Sequence, residues 1–103
     1  MKPYRKYKQD LMKELLDPKE AVGYLNAALE DGDPKVFLLA LRDVAEAQGS
    51  ISRLAKECKV HRASLYRMTS KTGNPSIENI MKMIKCIGLR LKVEGKRHPR
   101  LAA

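Results

Sequence analysis

Between Ile51 and Ser70 the chain reads ISRLAKECKVHRASLYRMTS, and its polar side chains are of the types that read a DNA groove. Arg62 suits bidentate hydrogen bonds to O6 and N7 of a guanine, the commonest specific contact in the major groove. Arg67 suits either a base or a phosphate. Ser64 suits a base edge. Tyr66 suits a thymine methyl or a phosphate, or alternatively packing on the helix that follows. Arg62 and Arg67 are five positions apart, about 140° around a helix, so they need not meet the same base. Ahead of them, Ser50, Ser52 and Arg53 offer hydroxyls and backbone N–H groups to a phosphate. Lys71 and Asn74 flank the far side and suit another. His61 stands at the start of the second half, among the candidate DNA contacts, while Lys56 reads as a solvated lysine.

These side chains need a scaffold to aim them. The apolar residues Leu54, Ala55, Cys58, Val60, Leu65 and Met68 have the spacing of two short helices, SISRLAKEC and RASLYRMTS, joined by the turn KVH. Two such helices cross steeply over a shared core in a helix-turn-helix. Ala55 falls where the second helix must approach closely, so a small side chain is required there. A basic face over a packed apolar seam is what a major-groove reader needs.

Charge supports a polyanionic partner. There are 21 Lys and Arg against 12 Asp and Glu, a net charge of +9, which favours nucleic acid first and an anionic membrane second. The distribution says more than the total. Residues 50–71 carry six bases and one acid, Glu57, whereas residues 10–33 carry seven acids and two bases.

Several classes are argued against. Histidine occurs only at His61 and His98, and no nucleophile–base pairing stands out, so the chain does not read as an enzyme. No Gly-rich phosphate loop suggests a cofactor. Cys58 and His61 have C-x-x-H spacing, but no second pair completes a zinc site. Cys58 and Cys86 lie on apolar helical stripes and are expected as core thiols rather than a disulfide. No apolar run approaches the ~18 residues of a membrane span, and no signal-peptide pattern opens the chain. A reducing cytoplasm is the expected home.

One domain with a modest core is expected for 103 residues of which 44% are hydrophobic. Residues 1–9 read as a flexible basic arm, and Asp10 to Leu16 as one or two helical turns. Asp17-Pro18 starts a helix over about 18–31, with Glu20 placed to complete a capping box. This helix is expected to bury Ala21, Val22, Leu25, Ala28 and Leu29. Asp33-Pro34 repeats the signal for a helix over 34–48 that is apolar nearly all round and therefore central. Ser50 caps the first motif helix and Ser76 caps a helix carrying Ile77, Ile80, Met81, Ile84 and Ile87. Leu89 to Val93 alternates apolar and polar, which reads as one β-strand. A lone strand needs a partner, and the same strand in a second copy supplies one, with Leu89, Leu91 and Val93 at the dimer contact. Residues 96–103 read as a disordered basic tail, and residues 10–95 as the folded domain.

With the motif placed, a family resemblance follows. LAKECKVHRASLYRMTSKTGNPSIENIMKMIKCIGLRLKVE resembles the Xre/Cro-type helix-turn-helix of HigA-like antitoxins, nearest to the probable addiction-module antidote proteins. AVGYLNAALEDGDPKVFLLALRDVAEAQGSISRLAKE resembles that family's two-helix lead-in, so the likeness covers about residues 17–95. It implies an all-α, five-helix, lambda-repressor-like DNA-binding domain with a short C-terminal β-strand paired across a dimer. It also implies a toxin partner of the HigB/RelE type, a ribosome-dependent mRNA nuclease, and repression of the shared promoter. Two positions depart from the pattern. Lys59 stands where the turn usually has Gly, a position needing positive φ that costs a non-Gly residue about 1 kcal/mol. His61 stands where Ser would cap better. A stand-alone repressor without a toxin, and an interaction module with a purely structural motif, are the alternatives.

Overall fold

A computed structural model describes residues 3–95. Six helices follow in order: α1 (Pro3–Glu14), α2 (Pro18–Asp31), α3 (Pro34–Ala47), α4 (Ile51–Cys58), α5 (Arg62–Met68) and α6 (Ile77–Cys86). No strand occurs among the described residues, and no helix there is long and apolar enough to cross a membrane.

Side chains set the helix starts. Asp17 and Asp33 sit in extended backbone and accept from the N–H groups of Lys19 and Lys35, with proline in the first turn of each helix. Ser50 and Ser76 accept from Arg53 and Asn79 in the same role. The capping box expected of Glu20 does not form. The Asp17 N–H is already bonded to the Glu14 carbonyl at 3.0 Å, so no donor remains for the Glu20 carboxylate.

α3 is the central element. It packs against α1, α2 and α4, and buries Phe37, Leu38, Ala40, Leu41, Val44 and Ala45. Ala21, Leu25 and Ala28 from α2, Ile51, Leu54 and Ala55 from α4, Leu65 from α5 and Met83 and Ile84 from α6 complete one core. Ala55 is 2% exposed beneath the α4–α5 contact, as a close approach requires. Tyr24 ties α2 to α3 by donating its hydroxyl to Asp43 at 2.6 Å. Burial, reinforced by the Asp43 carboxylate, pushes that hydroxyl's pKa well above the ordinary tyrosine value.

Several expectations need correction. Residues 3–9 are helical rather than an arm, because α1 is anchored further on by Leu11, Met12 and Leu15 against the core and by Lys8 paired with Glu46 at 3.5 Å. There are thus six helices where five were expected. Val22 and Leu29, expected inside, are 42% and 50% exposed, and Ile77 and Met81 of α6 are 65% and 55% exposed. Leu89 to Val93 carries neither helix nor ladder, since no other described segment is a strand. Cys58 and Cys86 are joined as a disulfide with Cα atoms 5.9 Å apart, because their two stripes meet where α4 packs on α6. The expected tail, 96–103, lies outside the described residues.

Candidate nucleic-acid interface

α4 ends in a Schellman motif. The Val60 N–H bonds the Ala55 carbonyl and the Lys59 N–H bonds the Lys56 carbonyl. This geometry requires a left-handed residue, and Lys59 supplies it at φ 59°, ψ 42°. Lys59 alone among the described non-glycine residues has positive φ. Val60 then packs on the core and turns the chain into α5.

α5 is weakly started. His61 occupies its N-cap in extended backbone, yet its side chain makes no capping bond. Ser in that place would satisfy one of the first N–H groups. The far end is well held instead. Thr69, 1% exposed, donates its hydroxyl to the Leu65 carbonyl at 2.9 Å. Arg42 of α3 donates from Nε to Thr69 Oγ1 at 2.9 Å and from Nη2 to the Tyr66 carbonyl at 2.6 Å.

The sequence candidates fall into three groups. Arg62, on the exposed face of α5, reaches back to α4 and donates from Nη1 to Ser52 Oγ at 3.1 Å. Its guanidinium also stands over the Tyr66 ring, 5.9 Å from the centroid. Ser52, Arg62 and Tyr66 therefore form one cluster across the α4–α5 junction. Arg67 is exposed and turns to Ser64 at 3.4 Å, so the two arginines are separately engaged. Lys71 and Asn74 form the second group. They line a cleft of about 430 Å³ together with Lys35 at the start of α3. The third group is already occupied locally. Ser50 Oγ is used as the α4 cap, and Arg53 pairs with Glu57 at 3.1 Å, both side chains largely exposed. A solvated pair of this kind is weak and gives way readily to a phosphate.

Sequence reasoning missed Arg42. The available signal was an arginine on a helix that is otherwise apolar on most sides, where a charge needs a dedicated partner. Among the described residues the α4–α5 surface carries Lys56, Lys59, Arg62, Arg67 and Lys71 exposed, with Glu57 as its acid.

These features define an all-helical domain with an exposed basic surface on two short, closely packed helices. The chain belongs to the family of probable addiction module antidote proteins, which it matches over residues 6–95. It is 33% identical over 88 residues to an uncharacterized protein of Haemophilus influenzae, covering 85% of this chain and 90% of that relative. No solved structure is significantly similar.

Proposed function

We propose that the protein is a sequence-specific DNA-binding antitoxin of a type II toxin–antitoxin module, of the HigA-like Xre/Cro helix-turn-helix type. It neutralises an mRNA-cleaving toxin of the HigB/RelE type by binding it, and it represses their common operon. Family membership supports the antidote role. The observation that carries the DNA reading is the Ser52–Arg62–Tyr66 cluster on the exposed face of α5. A guanidinium held at the surface by neighbours is suited to bidentate guanine recognition, and the surrounding lysines suit phosphates.

The protein acts as a homodimer, placing two α5 helices on paired half-sites. Two features support this. Gly88, at φ 80°, closes α6 with a second Schellman motif, after which residues 90–95 make no backbone–backbone hydrogen bond among the described residues. Beside this segment lies an apolar surface with Leu29, Ile77, Met81 and Leu91 exposed. A second copy laying Leu89–Val93 against the first pairs those backbone groups and covers the patch. The acidic α2, with Glu20, Glu30 and Asp31 exposed, suits a basic ribonuclease by complementary charge.

The test has two arms. The protein is co-expressed with the product of its neighbouring gene, and it is titrated onto DNA from its own promoter. Co-purification together with a promoter-specific gel shift is the expected result. A shift without a bound partner overturns the antitoxin half. A bound partner without a shift overturns the repressor half.

A further inference from the structure

We propose that Arg42, on the central helix α3, is a positioning residue for DNA recognition, orienting Tyr66 and through it Arg62. The inference rests on the DNA-binding reading above.

α5 spans seven residues, under two turns, and lacks a side-chain cap at its start. Such a helix has little stability of its own and takes its orientation from tertiary contacts. Leu65, 1% exposed, anchors one side to the core. At the other end Arg42 satisfies the Tyr66 carbonyl, one of the last four carbonyls that a helix leaves unpaired. It holds Thr69 by a second bond. A cation at a helix C-terminus is also favoured by the helix dipole.

The same guanidinium stands over the Tyr66 ring, 5.1 Å from its centroid. Arg62 stands over that ring too. Tyr66 is thus the shared platform of two arginines, one from the scaffold and one from the recognition face. Moving Arg42 releases the ring, and Arg62 then keeps only Ser52 as its brace. Lysine cannot replace Arg42, because a single ammonium lacks the planar fork that makes two bonds and covers a ring together. Arg42 is half-buried while Arg62 is exposed, which separates holding from reading.

The test is a double-mutant cycle on the full chain, read as binding to its own promoter DNA across a salt series. Arg42→Lys and Tyr66→Leu are each combined with Arg62→Ala, with circular dichroism to verify folding. Tyr66 is 41% exposed, so Tyr66→Leu keeps the variant set informative if Arg42→Lys does not fold. The expected result is about a 10-fold loss for each single change with an unaltered salt slope. Arg62→Ala should then cost much less in either background than in the wild type. Additive losses, or wild-type binding by Arg42→Lys, overturn the proposal. So does a slope lowered by about one when Arg42→Gln removes the charge, which would make Arg42 a phosphate contact. If the wild type binds no promoter DNA, the functional reading fails as well. If it binds and the losses add, only the role of Arg42 fails.

Discussion

Ser52 of α4 and Arg62 of α5 are bonded to each other, Nη1 donating to the hydroxyl oxygen at 3.1 Å. The bond uses one of the guanidinium's five donors, so Arg62 is braced and still able to grip a base edge. Loss of the brace frees the side chain without removing its charge. Ser52→Ala is therefore expected to weaken promoter binding by about 0.5–1.5 kcal/mol, with fold stability unchanged. Fluorescence anisotropy on a promoter duplex measures it, and equal affinities would place Ser52 outside the mechanism.

The left-handed Lys59 stores a removable cost. Replacing it by glycine relieves the Cβ conflict at φ 59°. Lys59→Gly should raise stability by about 1 kcal/mol, seen as a higher midpoint in urea unfolding. His61→Ser should add a smaller gain by capping α5.

Gly73 is required for a different reason, a close approach of backbone. A Cβ there would meet the carbonyl oxygens of Arg67 and Met68 at the end of α5. Gly73→Ala is expected to destabilise the fold by about 1–3 kcal/mol and to disturb α5 before the other helices. Hydrogen exchange resolved by residue reads this directly.

The proposed dimer makes its own prediction. Leu91 is 42% exposed and Val93 is 97% exposed in the single chain. Charges there would cost the monomer little, yet they would be buried in the pair. Leu91→Glu with Val93→Glu should halve the mass measured by light scattering and lower promoter affinity. A wild-type mass matching one chain would remove the dimer from the account.

Much of this architecture is readable in the sequence. Asp17, Asp33, Ser50 and Ser76 each cap the helix their position indicated, because capping is local and depends on one side chain meeting an N–H two or three residues on. The positive φ of Lys59 was legible through the family pattern, which usually has Gly at that turn position. What escaped depends on tertiary contacts. The helix over residues 3–9 is extended from an anchor at Leu11 to Leu15, and its own basic composition gave no sign of it. Met83 is 3% exposed while Met81 is 55% exposed, a choice made by how α6 is rotated against α4. Arg42 is 24 residues from Tyr66 and 27 from Thr69, beyond the reach of local pattern. The joining of Cys58 to Cys86 likewise depends on two helices that sequence alone does not bring together.

The central claim is that the α4–α5 face binds promoter DNA through Arg62 and surrounding phosphate contacts. Its most direct test is the affinity for the protein's own promoter between 50 and 200 mM salt, about the range over which counterion release dominates. The wild type should lose affinity steeply and linearly in log salt, and Arg62→Ala should lose about 1–3 kcal/mol with relaxed preference at one guanine. A flat salt response, or an Arg62→Ala protein that binds and discriminates like the wild type, would contradict the account.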